Sequence, residues 1–334
     1  AAGRRDALGI ASATMQVFGD ADAGDVARLR GWLGARRSVV TIGAYDGVHL
    51  GHRAVIGQAR SEAARDGAAS VVVTFDRHPA SVVRPESAPR LLTSHAHKLE
   101  LLAATGVDAV LVVAFTPDRA LEAPVDFVER VLVGALAART VIVGEDFHFG
   151  HRRGGNVGLL REVGARRGFE VAPVALVARA DGVDEPVSST AIRRALAGGD
   201  VAAAARMLGR DHEVRGRVVH GDRRGREIGF PTANVAVDAE ACLPADGVYA
   251  GRLARAGGGW HGCAVNLGRR PTFVDRSPAS LLEAHVLDFD GDLYGESVRV
   301  SFVAFLRGER KFDGVQALAS QLKLDVDHAR TLLA

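Results

Sequence analysis

Thr41-Ile-Gly-Ala-Tyr-Asp-Gly-Val-His-Leu-Gly-His52 decides how this chain is read. The β-branched run at residues 38–42 reads as a strand, and the glycine-rich turn after it delivers His49 and His52 to a helix opening near His52. Gly43, Gly47 and Gly51 let backbone amides approach an anion closely, and a helix start adds unpaired N–H groups at the positive end of its dipole. The two imidazoles then offer donors that follow charge as it develops on a phosphoryl group. Capping or solvated histidines would explain the pair without function. A zinc site is a poor fit, since only Asp46 lies nearby and no cysteine does.

Outward from this turn, β-branched runs at residues 38–42, 70–75, 109–115, 140–143 and 169–174 alternate with amphipathic stretches. That alternation predicts a parallel sheet covered by helices on both faces, an α/β, Rossmann-like domain. Beyond Glu213 the pattern changes to short strands with turn signals at Asp246-Gly247 and Asp290-Gly291, then a closing helix from about Gly314, which predicts a small antiparallel β-barrel. The expected division is a disordered leader at 1–14, an α/β domain at 15–199, a linker helix and junction at 200–212, and a barrel domain at 213–334. A chain of 334 residues, 47% hydrophobic and 25% charged, is long enough for two domains.

Charge and cysteine usage exclude several classes. Forty-two basic residues against 40 acidic leave +2, which demands no nucleic-acid partner, and only three of the basic residues are lysines. Cys242 and Cys263 stand far apart with no Cys-x-x-Cys, so neither a disulfide framework nor a metal cluster is expected, and a reducing cytoplasmic setting is. No run approaches the roughly 18 residues of a membrane span. A homo-oligomer is left open.

Three further clusters fall where open α/β sheets place ligands. Thr74-Phe-Asp-Arg-His-Pro79 and Gly144-Glu-Asp-Phe-His-Phe-Gly150 read as loops, with Asp46 and Asp146 as ligand-positioning carboxylates or simply solvated ones. Val187-Ser-Ser-Thr-Ala-Ile-Arg193 has the form of a capped helix start, where Ser189, Thr190 and Arg193 can hold the phosphates that leave as pyrophosphate. A capped helix with a surface arginine is the plain alternative. In the second half, Gly216 to Asn234 is neither a Walker loop nor a dinucleotide fingerprint. Gly225 and Arg226 can wrap a polyphosphate there, while Thr232 and Asn234 offer hard oxygens to a Mg2+ ion that keeps most of its waters. A hairpin turn with Pro231 at a strand edge is the competing explanation.

His49-Leu-Gly-His52 resembles the signature of the nucleotidyltransferase superfamily, whose members attack the α-phosphate of ATP. Over residues 36–328 the chain resembles the bifunctional bacterial riboflavin kinase/FAD synthetase family, through the runs already quoted and through Asn266-Leu-Gly-Arg-Arg-Pro-Thr-Phe273, Glu283 to Gly295, and Leu306 to Phe312. The resemblance implies that riboflavin and ATP give FMN and ADP in the barrel, and that FMN and ATP give FAD and pyrophosphate in the α/β domain. It implies Glu283 as general base for the riboflavin hydroxyl; by pattern alone that residue is an edge-strand carboxylate. His49, His52 and Arg193 become catalytic, with Gly43, Asp46, Gly51, Ser189 and Thr190 on the ATP of the adenylyltransferase, and Gly225, Arg226, Thr232 and Asn234 on the ATP and Mg2+ of the kinase. Flavin contacts fall on Asp146, Asn266, Pro271, Thr272, Phe273 and Arg307. Tyr45, Arg77, Asp146 and Gly314 depart from the family's usual Phe, Pro, Asn and Ser. The alternatives are a monofunctional riboflavin kinase with an impaired adenylyltransferase domain, and a nucleotide-binding regulator without turnover.

Overall fold

The computed structural model describes residues 15–221, 224–255, 258–269 and 280–334. The leader at 1–14 and the expected flavin contacts Pro271, Thr272 and Phe273 lie outside the described residues. Two compact units divide the chain: one takes the described residues up to Pro89 together with Ser94–Ala178, the other Arg90–Thr93 with Arg179–Ala334.

The first unit is a parallel sheet of six strands, β1 (Gln16–Gly19), β2 (Ser38–Ile42), β3 (Ala69–Phe75), β4 (Ala109–Val113), β5 (Ala138–Gly144) and β8 (Glu170–Val174), in the order β1-β4-β3-β2-β5-β8. A two-stranded hairpin, β6 (His148–Phe149) with β7 (Gly155–Asn156), stands on the β5 to β8 connection. Helices α1 (Ala23–Leu33), α2 (Leu50–Asp66), α3 (Pro79–Val83), α4 (His95–Ala103), α5 (Pro117–Ala120), α6 (Pro124–Phe127) and α7 (Val157–Arg167) connect the strands. All five residues of β2 are buried, as a parallel strand covered on both faces requires, which is why Ser-Val-Val-Thr-Ile reads as an unbroken run instead of alternating. The core under one face gathers Val40, Val71, Leu111 and Val141 against Leu29, Leu132 and Leu160. The five strands expected from sequence are present, and β1 adds a sixth. It pairs only with β4 and buries only Phe18, so its four residues carry little periodicity.

The order puts β2 between β3 and β5, where the sheet's winding reverses. The carboxyl end of β2 therefore opens into the crevice in which doubly wound sheets bind ligands.

The second unit begins its regular structure with α8 (Ser189–Ala197) and α9 (Val201–Leu208), separated by Gly198-Gly199-Asp200. Six antiparallel strands follow, β9 (His212–Val219), β10 (Ala233–Val237), β11 (Gly247–Arg255), β12 (Trp260–Arg269), β13 (Ser280–Val286) and β14 (Ser297–Arg307), with a turn of helix α10 (Arg224–Glu227) after β9. They close into a barrel in the order β10-β13-β12-β11-β14-β9. Tyr249 and Phe302 are fully buried in its core with their rings edge to face at 5.4 Å. Helix α11 (Val315–Leu333) packs Ala329, Val326 and Leu333 on Ala250, Ala264, Ala304 and Leu306. Small residues on the strands let the helix lie close.

Candidate active sites

At the end of β2 the Gly43 N–H still donates to Val73 O, after which the chain turns sharply. Tyr45, Gly47 and Val48 take φ of 50°, 86° and 38°. For β-branched Val48 that conformation is strained, and it persists because its surroundings are tightly packed, Val48 being 2% exposed. Tyr45 is anchored by its hydroxyl, 2.6 Å from Thr41 Oγ1, and lays its ring on Gly43, where a Cβ would sit 3.1 Å from the ring. Burial raises the tyrosine well above its ordinary pKa, so it stays neutral.

The turn ends with His49 as N-cap of α2, so the helix begins at Leu50, earlier than the opening near His52 expected from sequence. The backbone N–H of His52 donates to His49 Nδ1 at 3.3 Å, and that capping bond places the His49 proton on Nε2. The two rings stack at 3.5 Å, and Tyr45 meets His52 edge-on at 4.9 Å. His52 Nδ1 is buried without a hydrogen-bond partner among the described residues. Burial, then the neighbouring His49 and Lys98, hold His52 well below the usual histidine range, so it is a neutral imidazole. Asp46 is 5% exposed, not a solvated loop carboxylate.

Sequence reasoning missed Lys98. From α4 its ammonium donates to Ala44 O at 3.3 Å, Thr74 Oγ1 at 3.2 Å and Phe75 O at 2.8 Å, joining the ends of β2 and β3 beneath the histidine turn. Asp146 is exposed after β5, beside the stacked rings of Phe147 and Phe149.

In the second unit, Ser188 caps α8 by accepting the Ala191 N–H at 3.1 Å, which leaves Ser189 and Thr190 in the helix's first turn as expected. Arg193 Nε donates to Arg90 O at 2.7 Å, tying that helix to the segment whose Leu91 bridges to Ala241.

The barrel assembles the other group. Antiparallel register pairs Glu283 of β13 with Asn234 of β10 on one side and Asn266 of β12 on the other, so the three stand in a row across adjacent strands. Glu283 is thus on an interior strand of a closed sheet; the edge-strand position suggested by pattern alone is overturned, because β10 and β12 flank it. Thr232 stands two residues before Asn234, the spacing that shares a face. Asn234 is 6% exposed, and its Oδ1 has no hydrogen-bond partner among the described residues. Gly221 lies against it so closely that a Cβ would come within 2.3 Å of the amide.

Two cavities meet at Gly225, Thr232 and Asn234. One, about 440 Å³, is lined by Asn266, Glu283, His285, Arg307 and Phe312 besides those three. The other, about 430 Å³, is lined by Arg226, Phe289, Asp292 and Tyr294. His285, also unforeseen, donates from Nδ1 to Pro231 O at 2.8 Å, bracing the threonine turn. The loop imagined around Arg226 is instead a turn of helix. Arg307 faces the first cavity but spends its guanidinium on α11: Nε lies 3.0 Å and 3.1 Å from the two Asp325 carboxylate oxygens, and Nη2 donates to Oδ2 at 2.7 Å.

A buried amide oxygen lacking a donor, beside a threonine hydroxyl, fits a divalent cation held by few protein oxygens. Among the described residues no cluster of three His, Cys, Asp or Glu could cage one. Mg2+, which keeps waters and phosphate oxygens as ligands, suits such a donor set.

A histidine turn at a sheet's switch point and a barrel carboxylate beside an amide–hydroxyl pair together define a transferase of two chemistries, each acting on phosphate. Residues 34–191 match the FAD synthetase family and residues 208–333 the riboflavin kinase family. Bifunctional riboflavin kinase/FMN adenylyltransferases of Pseudomonas fluorescens and Listeria monocytogenes are 40% and 38% identical, over 90% and 89% of this chain and 94% and 92% of their own. A solved structure described as a macrolide-efflux protein from Streptococcus pneumoniae superposes with a TM-score of 0.81 at 29% identity, covering 95% of this chain and 99% of its own. The chain belongs to the bifunctional riboflavin kinase/FMN adenylyltransferase family. Both domains are present, which supports the bifunctional enzyme over the monofunctional kinase. No helix among the described residues is long and apolar enough to cross a membrane.

Proposed function

We propose that riboflavin is phosphorylated across the junction of the two barrel cavities, and that the His49-x-Gly-His52 turn carries out the adenylylation of the FMN so formed. The row Asn234-Glu283-Asn266 beside an amide oxygen lacking a donor is the observation that supports the kinase half. Riboflavin lies in the larger cavity with its 5′-hydroxyl toward Glu283, which takes the proton as the oxygen attacks the γ-phosphorus of ATP. ATP lies along the smaller cavity, with Gly225 and Arg226 on its phosphates. Thr232 and Asn234 would hold Mg2+, which when bound draws charge from the transferring phosphoryl group.

In the adenylyltransferase the FMN phosphate attacks the α-phosphorus of a second ATP. No protein nucleophile is needed, only alignment and neutralisation. His49 and His52 donate to the reacting phosphate, and Gly43, Asp46 and Gly51 shape the turn that receives the nucleotide. Ser189, Thr190 and Arg193 act on the departing pyrophosphate, and Asp146 with Phe147 and Phe149 contacts the flavin. A functional division at 15–199 and 213–334, with a junction at 200–212, is supported in outline by the family spans of 34–191 and 208–333, the second of which begins inside the junction.

Purified protein given riboflavin, ATP and Mg2+ should form FMN and then FAD, resolved chromatographically. Glu283→Gln should lower FMN formation by about 10²- to 10⁴-fold and leave conversion of supplied FMN intact, while His52→Ala does the reverse. One substitution silencing both steps in a folded protein would refute the separate assignments.

A further inference from the structure

Lys98 is used by none of the motifs above, yet it is a tightly constrained cation of the first unit. Its three N–H donors meet three acceptors, Ala44 O, Thr74 Oγ1 and Phe75 O, and the residue is 7% exposed. An ammonium with all its donors committed has none left for a substrate. Thr74 extends the arrangement by donating to Ala44 O at 3.1 Å, so one charge fixes the carbonyl at the root of the histidine turn and the carbonyl that ends β3. It is also one of three lysines in a chain whose other Lys/Arg positions are all arginine.

We propose that Lys98 is the positioning residue of the adenylyltransferase turn: it locks the ends of β2 and β3 together and supplies a fixed positive charge behind the imidazoles of His49 and His52. The proposal rests on the assignment of the His49-x-Gly-His52 turn to FMN adenylylation. The charged and titratable groups that act on His52 include His49 on the same turn, Tyr45 from the segment after β2, and Lys98 from α4; Asp46, Asp76 and His95 act in turn around Lys98. Repulsion from Lys98 favours the uncharged form of His52, so that imidazole donates without competing for a proton. Burial draws Lys98 down to about 8 against the attraction of Asp46 and Asp76, so it remains charged at neutral pH and loses its proton in mild alkali.

The test uses the full-length enzyme with supplied FMN, ATP and Mg2+. Lys98→Met should lower kcat/KM for FAD formation on the order of 10- to 100-fold, while riboflavin phosphorylation stays at the wild-type rate. Histidine NMR should show the His52 titration midpoint rising in Lys98→Met and staying in place in Lys98→Arg, which keeps the charge. Wild-type kcat/KM should fall above pH 8, and Lys98→Arg should carry that limb to higher pH. His52→Ala, which must abolish FAD formation if the turn is the adenylyltransferase, separates failure of the parent assignment from failure of this one. Wild-type kinetics and an unmoved His52 in Lys98→Met would overturn the proposal. So would equal losses in the Met and Arg variants with His52 unmoved, which would reduce Lys98 to packing. If the Met variant does not fold, the absence of an alkaline limb in wild type that Lys98→Arg moves overturns it as well.

Discussion

Burying Lys98 has a signed consequence for stability. Its folded pKa of about 8 lies below the ordinary 10.5, a gap of about 2.5 pH units, which at about 1.36 kcal/mol each amounts to roughly 3 kcal/mol. Because the folded value is the lower, the unfolded chain binds more protons between pH 8 and 10.5. Stability from this group therefore climbs with pH across that window, and below pH 8 the cost of enclosing the ammonium is felt in full. Comparing wild type with Lys98→Met cancels the other titrating groups. Each would carry Trp260→Phe, leaving Trp32 in the first unit as the sole tryptophan of a chain that has two; Trp260 is 43% exposed, so its replacement is mild. Urea unfolding followed by Trp32 emission from pH 7 to 10.5 should show the stability of wild type relative to Lys98→Met growing by up to about 3 kcal/mol. A flat difference, or one that shrinks as pH rises, would refute the reasoning.

The barrel makes two further predictions. Gly221→Ala places a methyl 2.3 Å from the Asn234 amide and must swing it out of the cavity, so riboflavin phosphorylation should fall on the order of tenfold or more while supplied FMN is still adenylylated; a normal kinase rate would count against Asn234. Asp325→Ala, at a residue 4% exposed, strips the partner from Arg307 and frees α11 at that point. It should destabilise the barrel by about 3 kcal/mol, seen in Trp260 emission during urea unfolding, and raise KM for riboflavin; a change under about 0.5 kcal/mol would remove the latch.

Strands β2 to β5 were legible because a parallel strand buried on both faces must be apolar at nearly every position, a signal that survives without knowledge of its neighbours; β8, an edge strand with no buried residue, was legible only from its valine-rich run. Four-residue β1 carried no such signal, since an edge strand buries one side chain of four. The histidine turn and the α8 start were visible as local motifs, caps and glycines being set within a few residues. Glu283 was visible only through family resemblance. A carboxylate in an apolar strand looks the same whether it sits at an edge or between Asn234 and Asn266, and the pairing that distinguishes these spans residues 234 to 283. Lys98 was illegible for the same reason: its acceptors lie 23, 24 and 54 residues away along the chain. Sequence periodicity placed it on an amphipathic helix, and no local rule separates a solvated lysine there from an enclosed one. Arg307 lines the cavity, and its pairing with Asp325 of the terminal helix is likewise invisible in the motif that carries it.

The barrel's ring of strands is closed by β9 meeting β14: β9 pairs with β10 and β14 with β11, but residues 212–217 find their second partner only in 297–302. During synthesis the kinase half is thus an open ribbon with an exposed rim until almost the whole polypeptide has left the ribosome. Chains arrested short of residue 297 would present that rim to one another, making premature termination a route to aggregates instead of a route to a free adenylyltransferase.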